Sequence, residues 1–124
     1  MVSYSEYLKN ILLQIYASHV NLNEIKDKPG DLDLINKEML KINGMIKVIL
    51  TKIDPEKILN SDFPSLKSKL RNYMENYFFE KEIETMAPLY SNDVSSVKNM
   101  RLKIIESLND KKMMDAIEDL IEKL

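Results

Sequence analysis

The chain has 124 residues, of which 44% are hydrophobic and 31% are charged, and its formal net charge is -2. These values predict one folded domain, residues 1–124, and exclude a disordered chain. The nearly balanced charge does not favour a protein that coats duplex nucleic acid. The absence of cysteine excludes disulfides and thiolate chemistry.

Turn-forming residues are scarce, since the chain has only two glycines and four prolines. An all-β fold with many hairpins would need more of them. The helical spacing of the apolar residues predicts an all-α bundle of about five amphipathic helices with a long central helix. No apolar run is long enough to cross a bilayer, and the start of the chain lacks signal-peptide features. We therefore expect a soluble, cytoplasmic protein with no membrane partner.

The first predicted helix covers about residues 5–25. Its apolar stripe extends from Tyr7 to Leu22, and Ser3 and Glu6 have the spacing of a capping box. The segment 28–30, Lys-Pro-Gly, predicts its end.

The second predicted helix covers about residues 31–53. Isoleucines and one methionine recur at alternating steps of four and three residues, which is the seam of a helix bundle. Gly44 lies inside this helix, where glycine costs about 1 kcal/mol relative to alanine. Either the close approach of another backbone or a tolerated surface glycine explains it.

The central stretch, residues 63–90, is the most aromatic part of the chain. Pro64 opens it, Pro88 is expected to stop it, and apolar residues at helical spacing predict one long helix between them. We expect this helix to be buried on most sides, as the element on which the others pack. The apolar stripe drifts after Phe79, so a bend there is one outcome.

Two further helices complete the predicted bundle. Asp93 is a good N-cap for a fourth helix that continues to Leu108, and Asp54-Pro55 caps a short turn before the central stretch. Asn109-Asp110 breaks the chain before a fifth helix, residues 113–124.

Residues with the potential for catalysis are few. His19, the single histidine, lies on the apolar stripe of the first helix, a position typical of a hydrogen-bonded core or boundary residue. Glu80 and Glu84 share a helix face, but a solvated face with local ion pairs explains them. No nucleophile motif and no phosphate-binding glycine loop occurs. We expect no enzymatic activity, no metal and no cofactor.

Lys67, Lys69 and Arg71 form a small basic group at the start of the central stretch. Basic residues beside aromatic ones can contact nucleic acid. Solvated lysines, with Arg71 in an ion pair, are the simpler interpretation, so we do not expect direct nucleic-acid binding.

The stretch from Lys69 to Lys81 resembles the signature helix of the GINS replication-factor family, which reads basic-apolar-Arg, apolar, Tyr-apolar, basic. The matching positions are Lys69, Leu70, Arg71, Met74, Tyr77, Phe78 and Lys81. The upstream order of helices, across most of residues 5–90, is also similar. The chain departs from the family in having Glu-Ile-Glu after the last basic position, and in lacking the small β-rich B-domain that usually accompanies the helical A-domain.

The resemblance implies a non-enzymatic, archaeal-type subunit that packs through helices into a tetramer with itself or with a GINS paralogue. It further implies association with the nucleoid, the MCM helicase and a RecJ-like protein. In this picture the aromatic residues anchor the core and the interface, and Arg71 pairs with a carboxylate. The aromatic residues concerned are Tyr73, Tyr77, Phe78 and Phe79.

Two other functions remain as alternatives. One is a stand-alone helical adaptor that dimerises, of viral or plasmid type, without a role in replication. The other is a helical nucleic-acid-binding module that would use Lys67, Lys69 and Arg71.

Overall fold

The computed structural model describes residues 4–58, 60–77, 79–90 and 92–124. Within these residues the chain forms six α-helices and no strand, which confirms the predicted all-α bundle. The helices are α1 (Tyr4–Glu24), α2 (Leu32–Lys52), α3 (Phe63–Asn76), α4 (Glu80–Tyr90), α5 (Val94–Leu108) and α6 (Met113–Lys123). Two 3₁₀ turns, Pro55–Lys57 and Asp110–Lys112, lie between helices.

The bundle is arranged around α2, which packs against α1, α3, α4 and α5. The predicted seam of α2 is its buried face, and five of its residues are fully buried: Ile35, Met39, Ile42, Ile46 and Ile49. Further contacts join α1 to α5 and α6, α3 to α6, and α4 to α5. The organising element is therefore α2, and the expectation that the aromatic central stretch would have this role is wrong.

The predicted long central helix is two helices, because α3 ends at Asn76 and α4 begins at Glu80. The backbone of Tyr77 is non-helical, with φ −131° and ψ 55°. In a continuous helix Phe79 would point about 140° away from Leu66, on the side opposite the apolar stripe. The break turns Phe79 back toward the core, where it is only 5% exposed. The break therefore allows Phe79 to be buried, and burial of such a large aromatic side chain is favourable.

Several helices and turns begin where the capping residues and prolines of the sequence predicted. The carboxylates of Asp93 and Asp54 accept hydrogen bonds from backbone amides of the turns that follow, as expected of N-caps. Pro64 lies in the first turn of α3 as predicted, but Pro88 lies inside α4 and does not stop it. The proposed capping by Ser3 lies outside the described residues.

No helix in the described part of the chain combines the length and the apolar character needed to cross a membrane.

Candidate functional site

The break between α3 and α4 brings together three of the four aromatic residues singled out from the sequence. Tyr73 is 2% exposed and Phe79 5% exposed, and Tyr77 is half-buried between them. The ring centre of Tyr77 lies 6.1 Å from that of Tyr73 and 6.2 Å from that of Phe79, distances at which aromatic pairs stabilise each other. The predicted role of Tyr73 and Phe79 in the core is thus seen in their burial. Phe78 lies outside the described residues.

The hydroxyl of Tyr77 connects this aromatic group to the second 3₁₀ turn. It donates a hydrogen bond to Oδ2 of Asp110 over 2.7 Å. This hydrogen bond, followed by partial burial, raises the pKa of Tyr77 above its usual value. The phenol therefore stays protonated and holds the helix break against the connection between α5 and α6.

Beneath the break lies a small buried polar group. Nδ2 of Asn43 donates to Oε1 of Glu80 over 3.1 Å. Among the described residues, neither Oδ1 of Asn43 nor the hydroxyl of Tyr73 has a hydrogen-bond partner. Burial, and secondarily the charge of Glu80, raise the pKa of Tyr73. A neutral phenol buried in this way is shielded from solvent, so we assign Tyr73 a structural role.

A groove of about 570 Å³ opens beside the break. Its floor includes Phe79, and the Nζ atom of Lys103 lies 5.6 Å from the centre of that ring. The same Nζ is 2.8 Å from Oε1 of Glu82, and both side chains are about half exposed. Glu82 and Lys103 therefore form an exposed ion pair, and the carboxylates of Glu106 and Asp110 also line the groove.

The predicted basic group does not form one continuous face. Positions two apart on a helix point in nearly opposite directions, so Lys67 and Arg71 lie on one flank of α3 and Lys69 lies on the other. Nζ of Lys69 donates to the carbonyl of Lys111. Arg71 is exposed, and it makes no ion pair with any described residue. The carboxylate partner expected for Arg71 is therefore not found within this part of the chain.

The arginine with a structural partner is Arg101, which the sequence did not single out. Its Nε and one of its terminal nitrogens donate to the two carboxylate oxygens of Asp27, over 2.7 and 3.0 Å, and the other terminal nitrogen reaches the carbonyl of Leu22. The two side chains are 12% and 11% exposed. This two-point ion pair fixes the connection between α1 and α2 against α5. No local pattern in the sequence indicates this pair, because its partners are 74 residues apart.

The hydrogen bond expected of His19 is not found at its Nε2 atom. Its Nε2 atom is buried without a partner among the described residues. Burial lowers the pKa of His19, while the nearby carboxylate of Glu118 acts in the opposite direction. In the described part of the chain, no group of three or more His, Asp or Glu side chains has the arrangement of a metal site.

The surface carries large apolar side chains on four helices. Among the described residues, nine of them are more than a third exposed: Tyr7, Leu13, Tyr16, Leu34, Leu40, Leu89, Tyr90, Val94 and Leu102. Some of them border grooves: Leu13 and Tyr16 face α6 in one, and Leu40 faces α4 in another. Apolar side chains beside concave surfaces are typical of sites that bind other proteins.

The described residues therefore form an all-α protein with large apolar side chains exposed beside several grooves. No protein-family model matches the chain, and neither the curated proteins nor the solved structures include one that is significantly similar to it.

Proposed function

We propose that this protein is a non-enzymatic assembly subunit, which binds other proteins through apolar side chains left exposed by its helices. The observation that carries this proposal is the set of nine exposed large apolar residues on α1, α2, α4 and α5. Leu89, at 73% exposure, is the most accessible of them. Covering such residues removes apolar surface from water at about 25 cal/mol per Å², which favours association.

The specific role that we propose is that of a GINS-like subunit of the replicative helicase assembly. The support for it is the resemblance of Lys69–Lys81 to the GINS signature, together with the all-α fold. In this role the chain forms a tetramer, with itself or with a GINS paralogue, and contacts an MCM helicase and a RecJ-like protein. The burial of Tyr73 and Phe79 means that these residues act in such a subunit through its core, while the interface uses other side chains.

Light scattering coupled to size-exclusion chromatography tests the assembly. We expect a mass near four times the 14.5 kDa of one chain, alone or after addition of a paralogue. Leu13→Ser combined with Tyr16→Ser should lower that mass, because both residues are exposed on α1 and border the groove against α6. Gln14→Ser, an equally exposed change on the same helix, is the control and should leave the mass unchanged.

The role in replication needs a separate measurement. Purification of the tagged chain from its source cells should recover MCM helicase subunits, identified by mass spectrometry. A stable dimer without helicase subunits would favour the stand-alone adaptor instead. A chain that stays monomeric at high concentration, and that recovers no helicase subunit, would contradict the proposal.

A further inference from the structure

Of the five grooves described, the one between α2 and α4 exposes the most apolar surface. It has a volume of about 430 Å³ and is lined by Leu32, Asp33, Asn36, Leu40, Glu80, Ile83, Glu84, Ala87 and Pro88. Five of these nine residues are apolar. Leu32 and Ile83 form a buried floor, at 1% and 2% exposure, while Leu40 is 44% exposed at the edge. An apolar side chain of a partner would thus find apolar neighbours below it and beside it.

The helix that forms one wall of this groove is only lightly attached to the bundle. Ile83 is the only residue of α4 that is fully buried. Met86 and Ala87 are half-buried, and the helix ends in the exposed side chains of Leu89 and Tyr90. Much of the apolar surface of α4 therefore remains uncovered by the rest of the described chain. This uncovered surface lies beside the groove.

The charges around the groove have a single sign. Asp33, Glu80 and Glu84 line it, and no lysine or arginine is among the lining residues. Glu80 keeps its position because its carboxylate accepts a hydrogen bond from Asn43, a residue that is 1% exposed. Charges arranged in this way attract a basic partner and repel an acidic one.

We propose that this groove binds a basic amphipathic helix of another protein, with apolar residues of that helix on Leu32, Leu40 and Ile83. Lysine or arginine residues flanking its apolar face pair with the three carboxylates. Docking an amphipathic helix by its apolar face into a groove is a recurring mode of protein recognition. The inference rests on the proposed function as an assembly subunit and specifies the kind of segment that such a subunit recruits.

Two other grooves fit this occupant less well. The groove at the helix break contains Lys103, and one of its three carboxylates, that of Glu82, already pairs with this lysine. The groove between α1 and α6 is also bordered by three carboxylates, but only three apolar residues line it: Leu13, Tyr16 and Ile121. Since that groove has a similar charge and a smaller apolar surface, it provides an internal control.

Two synthetic helical peptides serve as the probe. They share one leucine face and differ only in having lysine or glutamate at all polar positions. We expect the lysine peptide to bind at least about tenfold more tightly than the glutamate peptide, measured by calorimetry, with an affinity that falls as salt is added. Amide chemical shifts from nuclear magnetic resonance should change along α2 and α4. No binding of the lysine peptide, or shifts centred on α1 and α6, would overturn the inference.

Matched variants separate recognition by this groove from attraction to any acidic surface. We expect Glu84→Lys and Leu40→Ser each to weaken binding of the lysine peptide about tenfold, which corresponds to about 1.4 kcal/mol. Glu118→Lys changes the net charge equally and Leu13→Ser removes an equally exposed leucine, yet both should change binding by less than about twofold. Equal losses for Glu84→Lys and Glu118→Lys would show non-specific attraction and overturn the inference.

The two proposals can fail independently. Peptide binding at the groove without a tetramer or recovered helicase subunits would leave the inference standing and remove the replication role. A tetramer with helicase subunits, but no peptide bound at the groove, would leave the replication role standing and remove the inference about the groove. If Leu40→Ser alone lowered the mass of the assembly, a second copy of the chain would occupy the groove, and the inference would be overturned. Circular dichroism of each variant should match that of the parent, because Leu40 and Glu84 are exposed.

Discussion

Asp27 has two roles in the connection after α1, since it adopts a left-handed backbone conformation and forms an ion pair with Arg101. Asp27 has a φ of 60°, a left-handed conformation that aspartate tolerates better than most residues. In this conformation its carboxylate meets the fork of Arg101 at two points. The planar guanidinium matches a carboxylate in a way that lysine would not. The turn after α1 is therefore fixed by backbone conformation and by charge together.

His19 should make the stability of the fold depend on pH. Its pKa is lowered in the folded chain, chiefly by burial, from the ordinary value of 6.5. As the pH falls through 6.5, the unfolded chain therefore binds more protons than the folded chain, and the free energy of unfolding falls. Once the pH is below the folded pKa, this loss is complete.

The measurement is the free energy of unfolding in urea at pH 8 and at pH 5.5, for the parent chain and for His19→Gln. We expect the parent to lose more stability than the variant, because glutamine does not titrate. Other groups titrate in both proteins, so the difference between the two losses isolates His19. A difference of zero, or one of opposite sign, would show that burial does not control this imidazole.

Lys112 is under backbone strain that glycine would relieve. Its φ of 59° lies in the left-handed region, which costs a residue with a Cβ about 1–2 kcal/mol. Lys112→Gly should remove this cost, but glycine also gives the unfolded chain more conformational freedom, which lowers stability. We expect the free energy of unfolding to rise by about 0.5–1 kcal/mol overall. The free energy of unfolding in urea measures this change in stability. Lys98→Gly, an exposed change inside α5, is the control and should lose about 1 kcal/mol.

At the scale of the helix, Gly44 is a tolerated defect of α2. A Cβ built at this position meets no heavy atom within 4 Å. Close approach of another backbone, one of the two explanations that the sequence left open, is therefore excluded within the described chain. Gly44→Ala should raise the free energy of unfolding by about 0.5–1 kcal/mol, since alanine favours helix and restricts the unfolded chain.

Gly30→Ala is the matched control for Gly44→Ala. There is also no atom within 4 Å of a Cβ at Gly30, but its φ is 89°. Because alanine is strained in that conformation, we expect a loss of stability of about 1–2 kcal/mol from the same chemical change. Equal effects of the two substitutions, measured by thermal or urea unfolding, would contradict the assignment of Gly44.

The light attachment of α4 predicts that this helix opens before the rest of the bundle. Only Ile83 anchors it fully, and Pro88 removes one backbone donor from its last turn. Ile83→Ala should therefore accelerate hydrogen exchange of the α4 amides while the amides of α1 and α2 stay protected. Ile104→Ala, in the fully buried face of α5, should instead destabilise all helices by about 2–5 kcal/mol. Uniform acceleration in the Ile83 variant would show that α4 does not open on its own.

The helices could be predicted from the sequence where the apolar pattern and the flanking turn residues agree. The α2 helix was expected at 31–53 and is Leu32–Lys52, because its seam and its flanking turns agree. A bend after Phe79 was one of the outcomes expected, but the complete break after α3 was not predicted because neither glycine nor proline marks it. Its physical signal was the position of Phe79, which lies opposite the apolar stripe in a continuous helix. The pair of Asp27 and Arg101 was beyond sequence reasoning, since 74 residues separate the two partners.

At the scale of the whole molecule, one core connects all six helices. Its buried residues extend from Leu8 in α1 to Leu120 in α6, and each helix contributes at least one. Folding of any helix alone would leave its apolar stripe in water, so the helices stabilise one another. This shared core is the physical reason to expect that residues 1–124 unfold as the single domain predicted from the sequence.

Cooperative unfolding is directly measurable. The chain has no tryptophan, so tyrosine fluorescence can report on the aromatic side chains while circular dichroism reports on the helices. We expect both signals to change at the same urea concentration. Ile42→Ala in α2 and Ile117→Ala in α6, both fully buried, should move both midpoints together by amounts that correspond to about 2–5 kcal/mol. Midpoints that separate, or that move for only one of the signals, would show two domains where the shared core predicts one.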